Sequence, residues 1–342
     1  MNCDPLEIIP AAHRETARTA LVAAFGRKPV DAIRPVLGGV SGASVLRVET
    51  GGSRYVLRIE GPASPLRNPH QYASMRVASE AGIAPRVYYA DEHARVAVMD
   101  FIETQPLASY PGGPTGLASA LGELLARLQT TEAFPSFVAY PDIVSRLWAH
   151  VCRTGLFAPG VLDAATERLA RFREMYVWNS EHSVSSHNDV LPRNILFDGR
   201  RLWLIDWESA YRNDPFVDVA VALDNFAPSP ELETVLLKAW LDGERDEKVS
   251  AGLAAAQALT RLYYAGVLFS ASAASNRLES DKDIAALTVD EFTRAIRSGW
   301  LKPDTFETSH ALGKMYLASF LSGVRPPGLP PPLSAFAIRN LE

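Results

Sequence analysis

Cysteine is almost absent from this chain: only Cys3 and Cys152 occur among 342 residues, far apart and outside any CxxC pair. That argues against a disulfide framework and against a thiolate metal site. Histidine is scarce as well, with seven in total and no HxH or HExxH pair, so a metal-dependent hydrolase has little to build on. There is no long run of lysine and arginine to track a phosphate backbone, and the formal net charge is -5, so nucleic acid is not an expected partner. No segment reaches about eighteen uninterrupted apolar residues. The opening stretch MNCDPLEIIPAAHRET has neither the basic start nor the apolar run of a signal peptide. The expectation is a soluble, cytoplasmic protein with no membrane contact. What is plentiful is apolar content, 47% of the chain, enough to bury one large core or two lobes.

The pattern of that content changes along the chain. From Pro10 to about Phe25 it reads as an amphipathic helix. Pro35 to Leu37, Ser44 to Glu49 and Tyr55 to Ile59 then read as strands, separated by Gly38-Gly39 and by Gly51-Gly52-Ser53. ETGGSRYVLRIE carries the strongest hairpin signal, because glycine supplies the positive φ of a tight turn. A helix is predicted from His70 to about Ala81, ended by Gly82 and Pro85, and two more apolar runs follow at Arg86 to Ala90 and Val96 to Phe101. This makes a small lobe, residues 1–103, of about five strands with one helix. Residues 104–342 are mainly helical, with leucines at helical spacing from Leu117 to Leu128 and a short hairpin formed by NILFD and RLWLID. The proline-rich tail GVRPPGLPPPL reads as an extended segment laid on the surface. The fold class is therefore α+β in two lobes.

One polar stretch stands out against this background. SSHNDVLPRN, Ser185 to Asn194, precedes the apolar Ile195 to Phe197, and Asp206 ends the apolar LWLI, seventeen residues after Asp189. Taken singly, His187 reads as a residue that holds a loop, and Asp206 and Asn194 as turn formers. Together they make a set suited to phosphoryl transfer, which needs a carboxylate facing the attacking hydroxyl and oxygen ligands for magnesium. Asp189 is the catalytic candidate, and Asn194 and Asp206 are the metal candidates.

HNDVLPRN followed by LIDWE resembles the HxDxxxxN loop and metal-binding IDxE segment of the aminoglycoside phosphotransferase and choline kinase family. NDPFVDVA, Asn213 to Ala220, is similar to the segment that follows, and the likeness runs from about Pro35 to Phe226. The resemblance implies a protein-kinase-like fold, with a small antiparallel sheet lobe and a larger helical lobe. It implies a cytoplasmic enzyme that uses Mg2+ and ATP, with GTP left open, to phosphorylate a small-molecule hydroxyl. It gives Asp218 the task of bracing the catalytic loop beside His187.

The small lobe should then hold nucleotide. In LGGVSGAS, Gly38, Gly39 and Gly42 would let backbone N–H groups approach phosphates and Ser41 would add a hydroxyl. Such a turn alone is more often only a turn. By resemblance Arg58 stands where the kinase fold carries a phosphate-binding lysine, and arginine keeps the charge and can grip phosphate bidentately. No glutamate stands at the expected place on the following helix, which offers His70, Gln71 and Tyr72; Glu60 on the strand itself is the other carboxylate in reach. The linker residues Asp100, Phe101 and Ile102 are implied as adenine-binding through their main chain.

The acceptor is expected to be cationic, choline- or ethanolamine-like, or aminoglycoside-like, with Glu208 first and Asp214 second as contacts. Trp203, Trp207, Tyr211, Tyr263 and Tyr264 are available aromatic faces for a quaternary ammonium, and equally ordinary core residues. The alternative is a degraded, nucleotide-binding regulatory protein, for which the missing helix glutamate is the only sign. Oligomeric state is not readable from the sequence.

Overall fold

The computed structural model describes residues 4–36, 43–61, 68–176, 180–241, 246–274 and 279–332. The turn carrying Gly38, Gly39, Ser41 and Gly42 lies outside the described residues.

Helix α1 (Ala11–Phe25) leads into strands β1 (Ala32–Pro35), β2 (Ser44–Thr50) and β3 (Ser53–Ile59), helix α2 (Gln71–Glu80), and strands β4 (Val87–Asp91) and β5 (Val96–Asp100). The strands form one antiparallel sheet in the order β1-β2-β3-β5-β4. The β2–β3 hairpin closes where Thr50 faces Ser53, with Gly51 at φ 57° and Gly52 at φ 75°, the positive values such a turn demands. Strand β1 lies earlier than the predicted Pro35 to Leu37. Ile33 turns into the core, and Pro35, which has no N–H to donate, ends the strand at the sheet edge.

The period-two alternation of the strands sorts their side chains to two sides. Leu57, Ile59, Val96 and Val98 pack with Ala17, Ala20 and Leu21 of α1. Ala97 and Met99 face the other way, joining Tyr72, Met75 and Ala78 of α2 in the core that continues into the large lobe. Arg58 therefore points away from α1, toward the cleft.

The large lobe contains helices α3 (Gly113–Gln129), α4 (Tyr140–Arg153) and α5 (Asp163–Met175). Strands β6 (Val184–Ser186), β7 (Ile195–Phe197), β8 (Leu202–Leu204) and β9 (Tyr211–Asn213) follow, and then helices α6 (Phe216–Phe226), α7 (Pro230–Trp240), α8 (Glu247–Ala273), α9 (Val289–Arg297) and α10 (Phe306–Ser322). Leu121, Leu124, Leu125 and Leu128 form the buried stripe of α3, and each contributes about 1.5–3 kcal/mol through burial. Gly122 lets α7 close on that helix: a Cβ there would sit 2.8 Å from Ala239 Cβ and press on the Leu236 carbonyl. Helix α6 carries no periodic signal because every residue from Val217 to Leu223 is buried.

The predicted β7–β8 hairpin forms, with Ile195 opposite Leu204, and β6 pairs with β9 across the loop between them. The proline-rich tail is less superficial than its composition suggests. Leu329 is buried in the main core, and Tyr316 Oη donates to the Pro330 carbonyl at 2.8 Å. Among the described residues no helix is long and apolar enough to cross a membrane.

Candidate active site

Strand β6 delivers the chain to His187 and then to Asn188, whose φ of 62° turns it sharply. Asparagine tolerates the left-handed region better than most residues. Its side chain is used at both ends, donating to the Ser209 carbonyl at 2.8 Å and accepting from Asn213 Nδ2 at 2.6 Å. Asp218, fully buried in the first turn of α6, accepts the main-chain N–H of His187 at 2.7 Å and of Asn188 at 2.6 Å. Burial pushes the Asp218 carboxyl up, against the pull of His187 and these N–H groups. The His187 ring is also fully buried, with Nε2 donating to the Ile205 carbonyl at 2.9 Å and the ring 4.7 Å from that of Trp207. It links the loop to the residue before Asp206 and has no path to solvent.

Asp189 follows, with its side chain 17% exposed. Oδ2 accepts from Arg193 Nη2 at 2.9 Å and Asn194 Nδ2 at 2.8 Å, and Oδ1 accepts from Tyr264 Oη at 3.1 Å. Asn194 Nδ2 also reaches the Asp189 carbonyl at 2.8 Å, so its amide oxygen is the atom left for a metal. The main chain of Asn194 accepts from Ile205 N–H at 3.0 Å, which continues the β7–β8 register and brings Asn194 beside Asp206.

Asp206 has φ 66° and ψ 68°, a strained conformation for a residue with a Cβ. Its Oδ1 lies 2.9 Å from Arg58 Nη1, yet this buried oxygen takes no aligned hydrogen bond, so the contact is an ion pair only. A partly exposed Asp206 carboxylate, one residue beyond the Ile205 that pairs with Asn194, and the Asn194 amide oxygen are donors of the kind that fit magnesium, which takes few protein oxygens and leaves the rest to phosphate and water. Among the described residues no three or more histidine, cysteine or acidic side chains converge as a metal cage.

Arg58 meets Asp206 from the sheet, and two more acids join them. Nε donates to Glu60 Oε1 at 2.6 Å, and Nη2 lies 3.5 Å from Glu208 Oε2. Burial would lower the Arg58 pKa, but Asp206, Glu60 and Glu208 together outweigh it and hold the guanidinium charged. The carboxylate absent from α2 is thus supplied by Glu60, two residues on from Arg58 and just past the end of β3. Helix α2 is instead tied to the large lobe through Ser74 Oγ, which donates to the Ala210 carbonyl at 2.8 Å beside Asn68 Nδ2 at 2.6 Å.

The remaining predicted site residues fall in distinct places. Glu208 faces Arg58. Asp214 caps α6, accepting the N–H of Phe216 at 2.8 Å and the hydroxyl of Tyr176. Burial raises its carboxyl despite those bonds. In the linker, the N–H groups of Asp100 and Phe101 are committed to the carbonyls of Arg86 at 2.9 Å and Arg54 at 3.2 Å. Trp203 is turned to Asp198 and lies under Arg201, while Trp207 packs on His187. Three tyrosines pack in a chain behind Asp189: Tyr264 on Asp189, Tyr263 at 5.4 Å from it, and Tyr140 at 5.9 Å from Tyr263, ring centre to ring centre; Tyr264 and Tyr140 are buried and Tyr263 is half-buried. Burial, reinforced by the negative charge of Asp189, keeps these phenols protonated.

Sequence reasoning did not single out Arg193, Asn188 or Tyr140. Arg193 and Asn188 sit at variable positions of the loop pattern, and Tyr140 enters from a helix about fifty residues away in sequence.

The model of a phosphotransferase enzyme family matches residues 32–253 of this chain. Protein LicA of Haemophilus influenzae is 24% identical over 211 residues, which cover 60% of this chain and 61% of that protein. The chain spans less than two thirds of the length of each curated relative it matches. Among solved structures, a choline/ethanolamine kinase family protein from Mesorhizobium loti aligns with TM-score 0.60 at 20% identity, covering 91% of this chain and 98% of that one. Choline kinase LicA from Streptococcus pneumoniae gives 0.62 at 16% identity, covering 90% and 100%. At such identities the likeness is one of fold, and the residues must argue the chemistry.

Proposed function

Because the chain belongs to the phosphotransferase enzyme family, we propose that it is an ATP-dependent kinase acting on the hydroxyl of a small cationic molecule of the choline or ethanolamine type. The observation that carries this reading is the gathering of Asp189, Asn194, Asp206 and Arg58 across one cleft, linked by the Asn194–Asp189 bond at 2.8 Å and the Arg58–Asp206 pair at 2.9 Å. That set contains what phosphoryl transfer requires and little else.

In the proposed reaction Asp189 accepts the acceptor hydroxyl proton as the oxygen attacks the γ-phosphorus. The bond to the bridging oxygen breaks and ADP departs with that electron pair. Asn194 and Asp206 would hold magnesium, which when bound supplies positive charge to the phosphates. Arg58 keeps Asp206 turned into the cleft. The main-chain N–H of Ile102 is the linker donor left to face the base, since those of Asp100 and Phe101 are engaged.

For the acceptor, the half-buried Tyr263, close to Asp189 and Glu208, favours a compact cation, because neutral aromatic faces attract quaternary or primary ammonium groups. An aminoglycoside would call on more carboxylates, and here Glu208 is drawn to Arg58 while Asp214 caps α6. The regulatory alternative rested on a missing partner for Arg58; Glu60 removes that reason. The test is ADP release from Mg·ATP with choline, ethanolamine, aminoglycosides and sugars supplied one at a time. Acceptor-dependent release with a small amino alcohol is expected. Nucleotide binding without turnover on any acceptor would favour the regulatory reading instead.

A further inference from the structure

Arg58 cannot be the main source of positive charge for a phosphoryl group in flight, because three acids already surround it: Glu60 at 2.6 Å, Asp206 at 2.9 Å and Glu208 at 3.5 Å. The site on that side is net negative before any nucleotide enters. A second guanidinium lies on the opposite side. Arg193 Nη2 is 2.9 Å from Asp189 Oδ2 and Nη1 donates to the Pro332 carbonyl at 3.1 Å, while the side chain stays 34% exposed. Only one of these anchors carries charge, and among the described residues two of the five N–H groups an arginine owns are used. The Pro332 carbonyl fixes the head without neutralising it.

Resting on the kinase reading above, we propose that Arg193 is a further catalytic residue, which binds the equatorial oxygens of the phosphoryl group as it passes to the acceptor. The attacking hydroxyl must hydrogen-bond Asp189, so the phosphorus comes to lie one bond beyond that hydroxyl, within reach of a guanidinium hydrogen-bonded to the same carboxylate. Charge spreads over those oxygens in the transition state, and an arginine fork is the side chain best matched to two of them. The tail then has a task in catalysis, since its Pro332 carbonyl aims the Arg193 head.

The test needs no acceptor. Calorimetric titration of the full chain with Mg·ADP, alone and with aluminium fluoride as the planar phosphoryl mimic, isolates binding of the group in flight. The unaltered chain should bind tighter with the mimic, and Arg193→Met should lose about 10- to 100-fold of that gain while Mg·ADP affinity holds. Arg193→Gln keeps hydrogen bonding without the charge, should lose nearly as much, and serves if the Met variant fails to fold. A positioning role through Asp189 alone would leave the mimic's gain intact in both variants and overturn the proposal. No gain from the mimic in the unaltered chain would instead count against the kinase reading.

Discussion

The two sides of the cleft are built as opposites. On the sheet side one arginine, Arg58, sits among three carboxylates; on the loop side one carboxylate, Asp189, sits among an arginine, an asparagine and a tyrosine. The first cluster has an excess of negative charge and invites cations. The second is nearly balanced and holds its carboxylate in a single orientation while leaving it partly open. The difference teaches that the two clusters suit opposite electrostatic tasks, the first taking up a cation and the second holding one carboxylate in place, with the Asn194–Ile205 main-chain bond tying the loop to the strand that ends at Asp206.

Five substitutions, two of them combined in one variant, would break or sharpen that contrast. The largest effect is expected from Asp189→Ala, which should lower acceptor-dependent ADP release by about 10²- to 10⁴-fold with the fold retained in circular dichroism. Full activity would remove Asp189 from the reaction. Next, Arg58→Met removes the guanidinium that Glu60, Asp206 and Glu208 share and should cost about 3–5 kcal/mol in urea unfolding, with part of this recovered by adding Glu60→Gln. If the double variant is no more stable than the single one, the acids do not depend on Arg58. Asp218→Ala strands the N–H groups of His187 and Asn188, at about 1–3 kcal/mol for each, seen as a lower melting temperature and faster amide exchange in the loop. Unchanged exchange would mean that the loop holds itself.

The smallest effect concerns Asp214. Its folded carboxyl is raised by burial, so its contribution to stability is complete below the unfolded value of about 4 and is lost as pH climbs through the raised value. Asp214→Asn keeps the cap on Phe216 and the bond from Tyr176 without the charge. The melting-temperature difference between variant and parent should therefore grow in the variant's favour between about pH 4 and pH 7. A difference flat with pH would show that Asp214 stays ionised at no cost.

Much of the fold was legible because it rests on short-range patterns. The glycine pair at Gly51-Gly52, the alternation in β3 and the leucine stripe of α3 each report a local structure that their own residues impose. Helix α6 was not legible, since burial on all sides erases periodicity. The buried run of the tail at Leu329 was hidden as well, since proline-rich composition speaks to conformation and not to what covers it. In the site, Glu60 was visible as a residue two positions on from Arg58. Nothing local showed that Asp206 and Glu208 would complete the cluster.

By itself the sequence determined the small sheet, the polar loop pattern from Ser185 to Asn194 and the strand that ends at Asp206, because turn chemistry and side-chain alternation act over a few residues. Only the tertiary structure decided which charges meet. Arg58 and Asp206 are separated by nearly half of each lobe, and Asp189 and Tyr264 by three strands, two helices and the first turns of α8. Their pairing depends on how the sheet and the α8 helix are packed, and packing is a property of the whole core.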